Sequence, residues 1–170
     1  TVASGEAAYF ALKLSFDLLR KDLSDVVVTA PVSKTALKLA GVKYPGQTEM
    51  YADWCRVQNF VMTFLSQKLR VGLYSIHIPL KEVSNSLNYK ALSSKLDTIV
   101  SMLKIDLGIK NPKIAILGLN PHAGEAGIIG KEEKEIIEPI ISQKKFKGLV
   151  EGPFSSDAFF ANKRFENYDL

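Results

Sequence analysis

The stretch KIAILGLNPHAGEAGIIGK, residues 113–131, joins an apolar run of strand length to a glycine-rich loop. Residues 113–119 predict a buried β-strand, because they are mostly apolar and end at turn-forming residues. The loop that follows carries an Asn-Pro turn, several glycines and His122, one of two histidines in the chain. Such a loop is typical of a functional site, and the residues alone first indicate a metal and anion site around His122.

Strand and helix patterns alternate along the rest of the chain, which indicates an α/β fold. Strand predictions fall on residues 25–30 (DVVVTA), 60–65, 69–78, 113–119 and 149–153. Helix predictions fall on residues 4–21, 33–41, 49–56, 89–107, 131–145 and 157–160. The helix over residues 89–107 has the clearest amphipathic stripe, and Pro139 should kink the helix over residues 131–145.

Composition predicts one globular domain over residues 1–170, with 46% hydrophobic and 24% charged residues. The chain has 22 basic and 18 acidic residues, and the basic residues are spread along it apart from a small cluster at Lys144, Lys145 and Lys147, which argues against a nucleic-acid partner. Cys55 is the only cysteine, so it forms no internal disulfide and favours a reducing compartment. No membrane segment or signal peptide is visible, so we expect a cytoplasmic location.

A second candidate site lies in the turn YPGQT, residues 44–48. We expect Thr48 to cap a helix that begins at Glu49, which would place Gly46 and Gln47 at a helix N-terminus. Free backbone N–H groups and a hydroxyl at that position suit an anion such as phosphate.

His77 and His122 each follow an apolar, strand-like run, so a parallel sheet could bring them to one edge. Two imidazoles at that edge would suit a divalent transition metal. The alternative is that one histidine bonds a loop carbonyl while the other is exposed.

Lys34 and Glu125 are weaker candidates. Lys34 could hold an anion and Glu125 could orient a ligand histidine, although surface or capping roles remain open for both. The glycines at 118, 124, 127 and 130 do not follow the dinucleotide fingerprint, so this loop does not itself indicate a nicotinamide site.

Five motifs resemble those of the 4-hydroxythreonine-4-phosphate dehydrogenases, the PdxA family. They occur in the family's order and cover nearly the whole chain. The motifs are VTAPVSK (residues 28–34), PGQTE (45–49), IHIPL (76–80), GLNPHAGEAG (118–127) and EGPFSSD (151–157).

The resemblance implies an enzyme that oxidises 4-phosphooxy-L-threonine with NAD or NADP and releases carbon dioxide, in pyridoxal phosphate (vitamin B6) biosynthesis. It implies a three-layer α/β/α fold with a mostly parallel sheet, like that of isocitrate and isopropylmalate dehydrogenases. By the same resemblance, His77 and His122 are two of three histidine ligands of a divalent metal (Zn, Mg or Co). Gln47 and Thr48 correspond to the substrate-contact pair, and a homodimer shares each metal site between its subunits.

Two departures from the family pattern open alternatives. Many members carry histidine where this chain has Gln47, which keeps open a related substrate, a phosphorylated sugar acid such as phospho-threonate or phospho-erythronate. Family chains are longer at both ends, so we expect residues 1–170 to be the central, dimer-forming domain and inactive alone. The NAD(P)-binding residues would then lie elsewhere, and we assign no catalytic residue within residues 1–170. A non-catalytic metal-binding or dimerisation module is the remaining alternative.

Overall fold

Three helices build the first of two units in the chain, Thr1–Gln58. The computed structural model describes residues 1–170, and the second unit is Asn59–Leu170. All three helices overlap predicted helices, but α1 and α3 begin two residues earlier than expected. They are α1 (Val2–Arg20), α2 (Lys34–Leu39) and α3 (Gln47–Trp54).

The core of the first unit takes one large side chain from each helix. Leu12, Leu37 and Met50 are buried together, with Met50 fully inaccessible to solvent. Gly5 allows α1 to approach α2 closely, since a Cβ at that position would lie 2.0 Å from the carbonyl oxygen of Ala36. Close backbone approach of this kind requires glycine.

The predicted strand over residues 25–30 is wrong. No strand pairs with this segment, and the side chains of Val26 and Val28 are 70% and 92% exposed. A run of β-branched residues favours extended backbone, but a strand is completed by hydrogen bonds to a neighbour. The first unit supplies no such neighbour.

An antiparallel pair of short strands opens the second unit. Strands β1 (Thr63–Leu65) and β2 (Arg70–Gly72) place Phe64 opposite Val71. Both strands were predicted, but β2 ends at Gly72 instead of reaching residue 78. The apolar character of residues 73–76 reflects partial burial and not continued strand pairing.

A parallel pair forms the other sheet of this unit. Strands β3 (Ile114–Leu117) and β4 (Val150–Phe154) place Ile114 opposite Val150. The α/β class is therefore confirmed, with a small parallel sheet. The carboxyl ends of β3 and β4 meet at the same edge, as parallel pairing requires.

Helix α5 (Tyr89–Ile105) confirms the clearest sequence prediction. Its buried stripe is Leu92, Ser93, Leu96, Ile99 and Leu103. The side chain of Asn88 caps the helix by accepting a 2.9 Å hydrogen bond from the backbone N–H of Ala91. The same stripe packs into the core of the second unit, with Ile114 of β3 and Val150 of β4.

The helix predicted over residues 131–145 is shorter and less regular. It consists of a π-helical segment (Glu133–Ile137) followed by α6 (Glu138–Ile141). Pro139 lacks a backbone N–H and so cannot donate to the preceding turn, and the irregular segment comes directly before it. The two other α-helices of this unit are α4 (Val83–Ser86) and α7 (Ser156–Ala161). None of the helices combines the length and the apolar character needed to cross a bilayer.

Candidate functional site

The loop after β3 contains a left-handed turn, residues 122–126. Its five consecutive residues have φ values of 52°, 52°, 78°, 44° and 56°, and the third alone is glycine. For an L-residue, left-handed helical backbone costs roughly 1–2 kcal/mol. Such a turn persists where its surroundings stabilise it, and residues of this kind cluster at functional sites.

Asn120, which precedes the turn, is held by two neighbouring carboxylates. Its backbone N–H donates to Glu133 Oε1 over 2.7 Å, and its side-chain Nδ2 donates to Glu133 Oε2 over 2.9 Å. Nδ2 also donates to Glu132 Oε2 over 2.8 Å. These contacts were not predicted from the sequence.

His122 lies on the left-handed turn, after the carboxyl end of β3 as predicted, and its side chain is exposed. His77 is also exposed and also has left-handed backbone, with φ of 55°. It lies in a bend beyond β2, so its predicted position at the tip of a parallel strand is wrong. Strand β2 pairs antiparallel with β1 and does not belong to the sheet that positions His122.

Asp157 is a candidate that sequence reasoning did not select. It follows β4 just as His122 follows β3, so parallel pairing directs both segments to one edge of the sheet. A hydrogen bond donated by the Ser155 hydroxyl lowers the pKa of Asp157, and the charge of His122 lowers it further. The signal was present in EGPFSSD, where an exposed acid follows an apolar strand.

The side chains near this edge carry atoms of the types that bind metal ions. Imidazole nitrogen and carboxylate oxygen are both ordinary ligands of zinc and related divalent ions. No three or more His, Cys, Asp or Glu side chains of residues 1–170 are grouped so that they could hold a metal ion together. His77, His122 and Asp157 are candidate donors that follow β2, β3 and β4 in the chain.

Glu132 connects the segment after His77 with the loop before His122. Its Oε1 accepts a 2.5 Å hydrogen bond from Ser84 Oγ in α4, while its Oε2 accepts from Asn120. The Ser84 hydroxyl, the backbone N–H of Glu132 and the Asn120 amide lower the pKa of Glu132 to about 2. The carboxylate is therefore ionised at neutral pH and accepts at both oxygens.

The candidate anion site belongs to the first unit. Helix α3 begins at Gln47 and its N-cap is Gly46, so the expected helix start at Glu49 with Thr48 as the cap is wrong. Gly46 has the extended backbone that an N-cap needs and brings no side chain to the helix end. Gln47 and Thr48 therefore both lie in the first turn, where backbone N–H groups have no partner within the helix.

The carboxamide of Gln47 is engaged at both ends. Its Oε1 accepts a 2.6 Å hydrogen bond from Thr29 Oγ1, and its Nε2 donates to the carbonyl oxygen of Ala30 over 3.2 Å. Gln47 thus ties α3 to residues 29 and 30. Thr48 is half-buried beside it.

Lys34 and Glu125 both have exposed side chains. Lys34 is the first residue of α2, which Ser33 caps by accepting a 3.2 Å hydrogen bond at Oγ from the backbone N–H of Ala36. Glu125 lies within the left-handed turn, with φ of 44°. The anion and ligand-orienting roles of these two residues stay predictions.

A separate cavity of about 390 Å³ lies in the second unit. Its lining is mainly apolar and includes Leu96, Ile99 and Phe159, with Lys95 as a basic member whose pKa is lowered by burial. Neither histidine lines it, although Leu117, Gly118 and Leu119 at the carboxyl end of β3 do.

The fold and the loop after β3 define an α/β protein with candidate ligands at the carboxyl edge of a parallel pair of strands. The chain belongs to the PdxA family, since the family model described as "Pyridoxal phosphate biosynthetic protein PdxA" matches residues 1–170.

Curated relatives and a solved structure agree with this assignment. A 4-hydroxythreonine-4-phosphate dehydrogenase of Desulforapulum autotrophicum is 40% identical over 170 residues, which cover 99% of this chain and 50% of that protein. The enzyme of the same name from Zymomonas mobilis is 37% identical, and the match covers 99% of this chain and 51% of that protein. The crystal structure of the Klebsiella pneumoniae enzyme of that name matches with a TM-score of 0.88 at 32% identity. The match covers 99% of this chain and 51% of that chain. The chain spans about half the length of the curated relatives it matches.

Proposed function

We propose that this chain is part of a dehydrogenase that oxidises 4-phosphooxy-L-threonine with NAD or NADP and a divalent metal. Decarboxylation would then give 3-amino-2-oxopropyl phosphate for pyridoxal phosphate biosynthesis in the cytoplasm. The observation that carries the proposal is the match of the PdxA family model to residues 1–170. It is supported by relatives of 35–40% identity named 4-hydroxythreonine-4-phosphate dehydrogenase.

In this proposal, His77 and His122 each contribute an imidazole to the metal, which would be Zn, Mg or Co. When bound, the metal would act as a Lewis acid towards the reacting alcohol. We assign Asp157 to orient the imidazole of His122, because parallel pairing of β3 and β4 brings the segments that carry them to the same edge. A carboxylate next to a ligand histidine fixes the tautomer and raises the basicity of the ligating nitrogen.

The substrate phosphate is assigned to the start of α3. Thr48 would donate its hydroxyl, and the N–H groups of the first helical turn would add donors favoured by the helix dipole. Gln47 would contribute through the part of its carboxamide that Thr29 and Ala30 leave available. Each of these groups is neutral, so recognition would depend on hydrogen bonds and not on a paired charge.

We further propose that the chain forms the central, dimer-forming domain of a longer enzyme with a three-layer α/β/α fold of the isocitrate and isopropylmalate dehydrogenase type. Catalytic zinc sites commonly use three protein ligands, and His77 and His122 would supply two. A histidine of the partner subunit would supply the third. Residues 1–170 alone would then be inactive, and sedimentation of the domain as a strict monomer at high concentration would contradict the dimer.

The direct test is an activity assay on the full-length protein with 4-phosphooxy-L-threonine, each divalent metal, and NAD or NADP. Formation of reduced cofactor is expected. Its absence with every metal would remove the substrate assignment.

A phosphorylated sugar acid, such as phospho-threonate or phospho-erythronate, is the second candidate substrate. The neutral carboxamide of Gln47, fixed by Thr29 and Ala30, favours keeping it in the test. Comparing kcat/KM for the amino-acid and sugar-acid phosphates separates the two candidates. Metal binding without turnover of either substrate would instead favour a non-catalytic module.

A further inference from the structure

A buried carboxylate lies beneath the left-handed turn. Glu133 is 2% exposed, and the two hydrogen bonds to its carboxylate both come from Asn120. Burying an ionised carboxylate costs several kcal/mol unless its oxygens are well satisfied. Packing alone therefore does not explain a glutamate at this buried position.

The contact between Glu133 and the turn is tight. A Cβ added at Gly124 would lie 2.6 Å from Glu133 Oε2, and one added at Gly118 would lie 3.1 Å from Oε1. A Cβ at Gly130 would lie 2.1 Å from Asn120 Nδ2. The Asn120 and Glu133 side chains thus fill the space against which three glycines of the loop pack.

The chemistry of the contact selects a carboxylate. Glu133 receives one hydrogen bond at each oxygen, from the backbone N–H and from the side-chain N–H of Asn120. A glutamine at 133 has one acceptor oxygen, so its NH₂ group would face one of these two donors. The site consequently requires two acceptors, which the two carboxylate oxygens of Glu133 supply.

Glu132 extends the same contact towards α4. It accepts from Asn120 Nδ2 and from Ser84 Oγ, and so joins the loop before His122 to the helical segment after His77. We propose that Glu133 is a positioning residue that holds the left-handed turn and thereby directs His122, and that Glu132 fixes this turn to α4. That the orientation of His122 matters for metal binding rests on the proposed function, in which His122 is a metal ligand.

The test uses Glu133→Gln in the full-length protein, with Glu135→Gln as the matched control. Glu135 is exposed on the same helical segment, so its replacement makes the same chemical change without touching Asn120. The conformation of residues 122–126 is measured in the metal-free protein from backbone chemical shifts and three-bond HN–Hα couplings. Cobalt(II) alone is then titrated, and its visible absorption reports the ligands and the affinity.

Glu133→Gln is expected to remove the left-handed signature of residues 122–126 and to weaken cobalt(II) binding by about 10- to 100-fold. Glu135→Gln should change neither measurement. Retention of the left-handed signature in Glu133→Gln would overturn the inference, whatever its effect on thermal stability. Loss of that signature with unchanged cobalt(II) affinity would support the positioning of the turn and refute the metal role of His122.

Asn120→Ala provides a second variant if Glu133→Gln does not fold. It deletes the side-chain donors to Glu132 and Glu133 but keeps the backbone N–H that bonds Glu133 Oε1. A partial loss of the left-handed signature is expected. A fully retained signature, together with wild-type cobalt(II) spectra, would overturn the inference.

Discussion

Thr29 Oγ1 donates a 2.6 Å hydrogen bond to Gln47 Oε1 and so joins the irregular segment before α2 to the first residue of α3. This segment forms no strand, and its position depends on contacts of this kind. The same carboxamide donates to Ala30, so Gln47 supports the local fold in addition to its proposed contact with the substrate.

Replacing Thr29 by valine removes this bond with little change in shape. We expect the free energy of unfolding to fall by about 0.5–1.5 kcal/mol, the usual net contribution of one hydrogen bond. Urea denaturation measures the change, and Thr29→Ser is the control because it keeps the hydroxyl. Equal free energies of unfolding for the valine variant and the wild type would show that this hydrogen bond makes no net contribution to stability, because water bonds the Gln47 oxygen equally well.

Gly124→Ala tests the packing of the left-handed turn against Glu133. Gly124 has φ of 78°, and an added Cβ would lie 2.6 Å from Glu133 Oε2. Gly127→Ala is the control, since φ there is 98° and the added Cβ would meet no atom within 4 Å. Gly127→Ala should cost about 1 kcal/mol from backbone strain alone, and Gly124→Ala about 1–3 kcal/mol more. Equal losses in chemical denaturation would mean that Glu133 does not pack against the turn.

Local patterns predicted α5 well because its information is contained within the helix. Leu92, Leu96, Ile99 and Leu103 recur at helical spacing, and burying that stripe is sufficient to place it. Residues 25–30 failed for the opposite reason. Their β-branched composition gives extended backbone, whereas a strand depends on a partner that the composition does not specify.

The position of the loop after β3 was predicted from the sequence, but its backbone conformation was not. The strand predicted over residues 113–119 correctly placed His122 after a parallel strand. The positive φ values of His122 and Ala123 could not be read from their residue types, because they accompany contacts between Asn120 and Glu133. Asp157 was missed because its relation to His122 depends on the pairing of β3 with β4, which brings together distant parts of the sequence.

Stability should depend on pH through Glu132. Its pKa is lowered from the ordinary value of 4.5 to about 2, first by the hydrogen bond from Ser84. The folded state therefore binds this proton more weakly than the unfolded state. The resulting stabilisation is fully present above about pH 4.5 and is lost as the pH falls towards 2.

Glu132→Gln removes this contribution and should make the unfolding midpoint fall less steeply with acidification between about pH 4.5 and 2. Thermal unfolding at a series of pH values measures the slope in wild type and variant. Glu135→Gln removes a carboxylate from an exposed position nearby and should keep the wild-type slope. Identical slopes for all three proteins would show that Ser84 and Asn120 do not stabilise the ionised form.

Substituting each histidine tests whether it is a metal ligand or only a surface residue. His77 and His122 both have exposed side chains on left-handed backbone, so His77→Ala and His122→Ala should leave the core of the second unit intact. In the full-length protein we expect each variant to bind divalent ions at least about 10-fold more weakly, because removing one of three ligands leaves an incomplete site. Isothermal titration calorimetry measures the affinity, with thermal unfolding of the metal-free proteins as the control for folding. If both variants retain wild-type affinity, the histidines are not ligands, and the metal of the proposed dehydrogenase is bound elsewhere.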